Sequence, residues 1–451
     1  MYPRDMIIPT GVRLALDRLD RAGYEAYIVG GCVRDSLLGK TPTDWDIATS
    51  ATPERIKEVF NGYHRIYTGF KHGTITVILD EMPIEITTYR VDGKYSDGRR
   101  PDEVHYTGDI VEDLARRDFT INACAMTDSR FIDPFGGMDD IRHGIIRCVG
   151  NPKERFKEDS LRILRGIRFA SMLGFVVEEE TKKAILDCKE LISNVSMERI
   201  TMEFCKILLG DAVHDTLLEF QAVLAFIIPE IREMIEFDQR NKYHIYDVYR
   251  HTLKSVESID KDVVLRTTMF FHDIAKPSCF SLDDNCVGHF YGHAKASAKM
   301  TEGILERMRF PKREIRDIIE LIKYHDRPIG LTAKSVRKLL SKIGEEQFRR
   351  LLKVKRADTM AKNPIFWEVK LKDIEVVEDI FDSLIEKGAC ITRNQLAING
   401  NDLIELGIPQ GRLLGYILDT LLNMVLNEEL ENKKDDLLKW AKAIWTKSKL
   451  Q

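Results

Sequence analysis

Cysteine is sparse and unpatterned. The eight cysteines (Cys32, Cys124, Cys148, Cys188, Cys205, Cys279, Cys286 and Cys390) include no Cys-x-x-Cys pair. That excludes a zinc-ribbon spacing and a disulfide framework, and points to reduced thiols in a cytoplasm. Long apolar runs are missing too. Nothing reaches the ~18 uninterrupted apolar residues of a membrane span, and the opening MYPRDMIIPTGVRLALDRLDRAGY has no secretory h-region. Neither an internal repeat nor a low-complexity tract is present. A strong charge of one sign is also absent: 68 basic against 72 acidic residues leave −4. A generally polybasic protein is therefore excluded, whereas a local nucleic-acid patch is not.

What is present is 451 residues, 44% of them apolar, enough for two to four domains with cores of their own. The pattern changes once along the chain. Before about residue 150, Glu25–Val29, Thr74–Leu79 and Pro83–Tyr89 read as strands and Val33–Leu38 as a short helix. From Glu158 onward the apolar spacing is helical, broken at Gly174, Gly210, Pro229, Pro311, Pro328, Gly388 and Gly407. The expected class is α+β: a small head with a mixed sheet and helices, followed by a long all-α remainder.

The head carries the informative segment, Tyr27-Ile-Val-Gly-Gly-Cys-Val-Arg-Asp followed by Thr43-Asp44-Trp45-Asp46-Ile47. Gly30 and Gly31 end a strand and let backbone approach a ligand, and the helix start after them favours phosphate. Arg34, in that helix's first turn, suits a polyphosphate. Asp44 and Asp46 are two apart, so on a strand both carboxylates project to one face. Two such groups repel unless a cation sits between them, and all-oxygen ligation favours Mg²⁺ or Mn²⁺. Glu85, between Ile84 and Ile86, is either a third carboxylate or a solvent-facing strand residue. Such a site suits two-metal nucleotidyl transfer.

These motifs resemble the nucleotidyltransferase head of the class II tRNA nucleotidyltransferase (CCA-adding enzyme) and bacterial poly(A) polymerase family. Further stretches match in order: Arg116-Arg-Asp-Phe-Thr-Ile-Asn-Ala123 for ribose recognition, Asp133, Gly137 and Arg147 for a hinge, Glu158 to Ala170 for an amino-acid template helix, and Glu198-Arg199-Ile200. The resemblance implies the head-plus-helical-body fold. It also divides the chain into a head (1–150), a neck with the template helix (151–236), a metal-phosphohydrolase-like helical domain (237–365) and a tRNA-binding body and tail (366–451).

Arg162, Arg165 and Arg168 recur every three residues, with Asp159 three before the first, so on a helix they line one side. Leu161, Ile163, Leu164, Ile167 and Phe169 already supply a buried side, which leaves the arginines in excess. A carboxylate accepts from the exocyclic amine of cytosine or adenine while an arginine donates to the acceptor beside it. Uracil and guanine offer a carbonyl where the carboxylate needs a donor. By resemblance, Asp159 and Arg162 read the base, Arg165 and Arg168 lie near base and phosphates, and Arg117, Asp118 and Asn122 contact sugar and triphosphate. The polar stretch Asp92–Val104 reads as a mobile loop and resembles one kept by full CCA-adding members.

The middle of the chain contains His251, Phe271-His272-Asp273, His293, His325 and Asp358, and five of the eleven histidines fall between residues 251 and 358. Imidazoles with carboxylates suit a transition metal such as Mn²⁺ or Ni²⁺. The pattern resembles the HD-superfamily metal phosphohydrolase signature, which implies His251, His272, Asp273 and Asp358 as core ligands and His293 and His325 as an extra pair. Metal-activated hydrolysis of a phosphate ester, such as a 2′,3′-cyclic phosphate or a 2′-phosphate at an RNA end, is the implied chemistry.

Lys334 to Arg356 holds nine basic residues and two Glu, a candidate phosphate-backbone track. The segment Asn399–Leu418 places Pro409 and Gly411 before a helix and resembles the family's tRNA-arm-binding region. The expected function is Mg²⁺-dependent addition of CCA from CTP and ATP to tRNA 3′ ends, with recognition of the acceptor and T arms. Poly(A) addition, addition of only CC or only A, or a principal activity in the HD-like domain stay open. Oligomeric state is not legible.

Overall fold

The computed structural model describes residues 7–70, 73–93 and 103–448, in two compact units. One is Met1–Pro229 with Arg307–Arg309; the other is Glu230–Glu306 with Phe310–Gln451.

The first unit opens with α1 (Thr10–Arg21), β1 (Ala26–Val29), α2 (Gly31–Leu37), β2 (Trp45–Thr49), α3 (Pro53–Val59), β3 (Arg65–Ile66), β4 (Thr74–Leu79) and β5 (Met82–Thr88). Of the expected loop, residues 94–102 lie outside the described residues, and its ends pair as β6 (Arg90–Asp92) and β7 (Val104–Tyr106). After α4 (Ile110–Ala115) come β8 (Ala125–Met126) and β9 (Phe131–Ile132). Seven strands form one sheet in the order β3-β4-β5-β2-β1-β8-β9, which puts β2 at its centre. The β2–β5 pair is parallel, while β1–β2 and β4–β5 are antiparallel. Alternation drives this layer: Ile75, Val77, Ile84, Ile86 and Ile47 are buried against Val12, Ala15 and Leu19 of α1.

Below the sheet the chain is helical. After α5 (Gly137–His143) come α6 (Pro152–Glu158), α7 (Leu161–Leu173), α8 (Glu179–Asp187), α9 (Met197–Leu208), α10 (Val213–Glu219) and α11 (Gln221–Ile227). The template segment is thus two helices, not one. Asp159 ends α6 in extended backbone (φ −136°, ψ 105°), and its Oδ1 accepts from Leu161 N–H at 3.1 Å. The single helical row expected from Asp159 to Arg168 therefore starts only at Leu161.

The second unit contains α12 (Val248–Glu257), α13 (Val263–Phe271), α14 (His293–Arg307), α15 (Lys312–His325), α16 (Ala333–Met360) and α17 (Trp367–Glu386). Gly344 kinks α16 with φ 77°, a value a side chain disfavours. The tail helices α18 (Gly400–Glu405), α19 (Arg412–Leu426) and α20 (Lys434–Ser448) share a core built on Leu403, Ile417, Leu421 and Leu437. No helix among the described residues is long and apolar enough to cross a membrane.

Candidate active site

Asp46 lies on the central strand, and Glu85 is its register partner across the parallel β2–β5 pair. Asp44 sits one residue ahead of β2, exposed in the preceding turn, rather than on the strand as its i,i+2 spacing suggests. Burial, Glu85 and Asp44 together push the Asp46 carboxyl up to about 6, with Arg117 opposing. A carboxylate so poorly compensated is what a divalent cation relieves.

The glycine turn keeps this acid accessible. Gly30 has φ +81°, and a Cβ there would lie 3.2 Å from Arg117 Nη1 and 3.4 Å from Asp46 Oδ2. Any larger residue would fill the space beside the carboxylate. From α2, Arg34 donates through Nη1 to Asn122 Oδ1 at 2.8 Å. Asn122 in turn donates to Asp118 Oδ1 at 3.2 Å, and Arg165 grips Asp118 Oδ2 with both Nε and Nη2 at 2.6 Å. Burial raises the Asp118 carboxyl, but Arg165 and Arg162 outweigh it and hold it down to about 2.

All the nucleotide-binding candidates line one cleft of ≈ 530 Å³: Gly30, Gly31, Arg34, Arg117, Asp118, Asn122, Asp159, Arg162, Arg165 and Arg168, together with Asp44 and Asp46. Glu85 borders Asp46 without lining that wall. Arg34, Arg165 and Arg168 also converge on the Phe169 ring, at 5.2, 5.4 and 4.4 Å from its centroid. The two residues expected to read the base are held by other groups. Asp159 Oδ2 accepts from Arg199 at 3.3 Å. Arg162 donates to Glu158 and to the Arg116 carbonyl, each at 2.7 Å.

Two structural partners went unread in the sequence. Asp113, fully buried, takes Arg116 at 2.8 Å and Arg117 at 3.2 Å, a pattern its i+3 and i+4 spacing could have revealed. Glu203 pairs with Arg168 at 2.9 Å between α7 and α9, so the Arg168 charge is answered from inside the fold. No local signal marks that pair.

In the second unit, His251, His272 and Asp273 form one group of potential metal ligands and Asp273, His293 and His325 another, with ligand atoms within 4.8 Å of one another in each. Asp358 Oδ1 stands 3.2 Å from His251 Nε2. Each ring is aimed by its own Nδ1, which donates to a backbone carbonyl: Ala361 for His251, Met269 for His272, Phe290 for His293 and Ile322 for His325. Rings so fixed turn their Nε2 atoms inward. Both Asp273 oxygens are buried without a well-directed hydrogen bond, although Lys276 Nζ comes within 2.7 Å. Ring nitrogens and carboxylate oxygens grouped in this way form a donor set that suits a transition-metal cation. Lys362 Nζ meets Asp358 Oδ2 at 2.6 Å. Both lysines lie three or four residues beyond their aspartates, a spacing visible in the sequence but unread. Burial raises the Asp273 and Asp358 carboxyls, yet their cationic neighbours hold both well below the usual range.

Several cations of the basic run in α16 are ion-paired. Arg337 pairs with Glu428, Arg349 with Glu345 and Asp382, Arg350 with Glu346, Lys353 with Asp260 and Arg356 with Glu378, while Lys355 donates to the carbonyls of His325 and Arg327. Five of the run's nine cations are thus ion-paired, with Glu345 and Glu346 of the run itself and with acids of other segments.

A carboxylate pair at the start of the central strand, a glycine turn and a cleft of anchored arginines define a nucleotidyltransferase. Residues 26–147 match the family model of the poly A polymerase head domain, residues 174–235 that of the probable RNA and SrmB-binding site of polymerase A, and residues 287–441 that of the putative tRNA nucleotidyltransferase domain 2. The CCA-adding enzyme of Enterococcus faecalis is 32% identical over 94% of this chain and 93% of its own, and that of Leuconostoc mesenteroides 34% over 95% and 94%. The crystal structure of the Bacillus stearothermophilus CCA-adding enzyme in complex with CTP superposes over 100% of both chains, at 29% identity and TM-score 0.72. The Thermotoga maritima CCA-adding enzyme complexed with tRNA shares the fold at 20% identity and TM-score 0.61, over 98% of this chain and 97% of that one. The chain belongs to the CCA-adding enzyme family.

Proposed function

We propose that the first unit's cleft carries out CCA addition, extending tRNA 3′ ends from CTP and ATP without a nucleic-acid template, with the following division of labour. Asp44, Asp46 and Glu85 hold divalent cations, Mg²⁺ in the cell. Bound there, such ions lower the pKa of the attacking 3′-hydroxyl and neutralise charge on the triphosphate. Arg34, Arg117 and Arg165 bind the phosphates, and Asp118 and Asn122 orient those guanidiniums and meet the ribose. Gly30 and Gly31 keep the approach to Asp46 open.

Nucleotide choice rests on Asp159 and Arg162. When a base enters, Asp159 exchanges its Arg199 contact for the amine of cytosine or adenine, and Arg162 turns from Glu158 to the neighbouring acceptor. Uracil or guanine would leave Asp159 facing a carbonyl, an unpaired buried group costing roughly 1–3 kcal/mol. The observation that carries this reading is the convergence of all these side chains on one cleft. Incubating the protein with tRNA lacking its 3′ terminus, and each NTP singly and together, tests it. The expected result is CC from CTP alone, CCA from CTP with ATP, and nothing from UTP or GTP. Unlimited A addition would instead mark a poly(A) polymerase. None of the eight cysteines is in a disulfide, which supports work in the reducing cytoplasm.

The second unit's cluster supports a second reading: a transition-metal centre, with Mn²⁺ or Ni²⁺ on His251, His272, Asp273, Asp358, His293 and His325, that hydrolyses phosphate esters. What favours it is the inward set of Nε2 atoms and buried aspartate oxygens. Metal titration of chelator-treated protein, followed by phosphate-release assays, tests it; a protein that binds no transition metal contradicts it.

A further inference from the structure

Two clefts meet at the metal centre of the second unit, and their walls differ. One, of ≈ 320 Å³, is aromatic, with Tyr243, Phe290 and Tyr291 beside Lys276 and Asp273. The other, of ≈ 220 Å³, sets aliphatic Pro328, Ile329, Ile374 and Val377 beside Lys355 and Lys370. They share His325, Asp326, Asp358 and Lys362, so candidate ligands lie at the seam and each arm offers apolar surface of its own.

The aromatic arm is built rather than incidental. Tyr291 stacks on His289 at 5.3 Å with 7° between the rings, yet stays 78% exposed. The antiparallel pair of Ser281–Leu282 with Gly288–His289 precedes it and is pinned: a Cβ on Gly288 would stand 2.2 Å from the Gln239 carbonyl oxygen. An exposed ring held flat by another ring is a platform for a nucleobase. A phosphomonoester has one organic arm and would leave one cleft empty. A phosphate with an organic group on each side fills both.

We propose that this centre acts on a phosphodiester joining two nucleosides of single-stranded RNA, the polymer the first unit extends. One base stacks on Tyr291, the other nucleoside lies against Ile329, and Lys276 and Lys362 flank the phosphate. The inference rests on the metal-centre reading above. Hydrolysis adds the oxygen of one water to phosphorus and breaks one phosphorus–oxygen bond to ribose. The departing ribose oxygen takes one water proton and solvent takes the other, leaving a phosphomonoester and a hydroxyl.

The test uses the full chain loaded with Mn²⁺ and two probes: 2-aminopurine riboside linked 3′–5′ to uridine, and 2-aminopurine riboside 3′-monophosphate. Fluorescence quenching reads binding and chromatography reads cleavage. The dinucleotide is expected to bind more tightly than the monophosphate. Tyr291→Ala and Ile329→Ser are each expected to weaken the dinucleotide about tenfold or more, while only Tyr291→Ala affects the monophosphate. Tyr291→Phe should restore binding, and circular dichroism reports whether each variant folds. Equal affinity for both probes, or a dinucleotide indifferent to both substitutions while Mn²⁺ still binds, overturns the proposal and leaves the metal centre standing. A wild-type protein that takes up no Mn²⁺ overturns both.

Discussion

Glu85 stands at the register position of Asp46 across the parallel β2–β5 pair, one strand away from a carboxylate already pushed up to about 6 by burial and by its acidic neighbours. Two acids placed in register on neighbouring strands raise each other's free energy when ionised, and a shared cation reverses the sign of that interaction. Glu85→Gln is therefore expected to lower CTP incorporation on the order of 10²-fold in kcat with a smaller change in the KM for CTP. Single-turnover assays over a Mg²⁺ series would read this as a raised Mg²⁺ requirement. Wild-type kinetics in the variant would reduce Glu85 to a solvent-facing strand residue.

The same raised pKa has a consequence for stability. In the folded, metal-free protein Asp46 titrates near 6, above the ~3.9 of an unfolded chain. Its contribution is fully present below the unfolded value and is lost as pH rises through about 6. Mg²⁺ offsets that loss only where the group is ionised. Thermal unfolding should show a larger Mg²⁺-dependent rise in Tm at pH 7.5 than at pH 5, and Asp46→Asn should flatten the difference. An equal Mg²⁺ response at both pH values in the wild type would count against Asp46 as a ligand.

Removing the base-reading carboxylate should relax choice before it stops chemistry. Asp159→Ala is expected to cut the preference for CTP over UTP by roughly 10- to 100-fold, as suits the loss of one buried pairing group. Competition assays with both nucleotides measure it. An unchanged ratio would place selectivity elsewhere in the cleft.

The Arg168–Glu203 pair is nearly fully buried between α7 and α9. Truncating one member strands the other charge, so Glu203→Ala should cost about 3–5 kcal/mol of stability, read as a lower denaturation midpoint in urea. A loss below about 1 kcal/mol would mean that water reaches Arg168 and that the pair is not buried in solution.

Much of this architecture is legible from residue patterns, and the exceptions share a cause. Thr74–Leu79 declares itself by its β-branched, largely apolar run, and β1 by its run into two glycines. The cleft residues are legible because phosphate, ribose and base each demand particular donors and acceptors at close spacing. The break at Asp159 is hidden, since neither glycine nor proline marks it and helical periodicity continues on both sides. The neighbour relation of Glu85 to Asp46 depends on a parallel pairing between strands far apart in sequence. The α16 arginines read as a free basic run because the acids that meet them, Asp260, Glu378 and Glu428, come from other segments. Local chemistry is visible in one dimension; partners supplied by topology are not.

The most direct trial is nucleotide incorporation by an Asp44→Ala, Asp46→Ala double variant, with folding checked by circular dichroism and CTP offered to tRNA that lacks its 3′ terminus. If these two carboxylates hold the ions that drive the reaction, incorporation falls to background while the folded spectrum is kept. Incorporation at the wild-type rate in the folded variant would contradict the account.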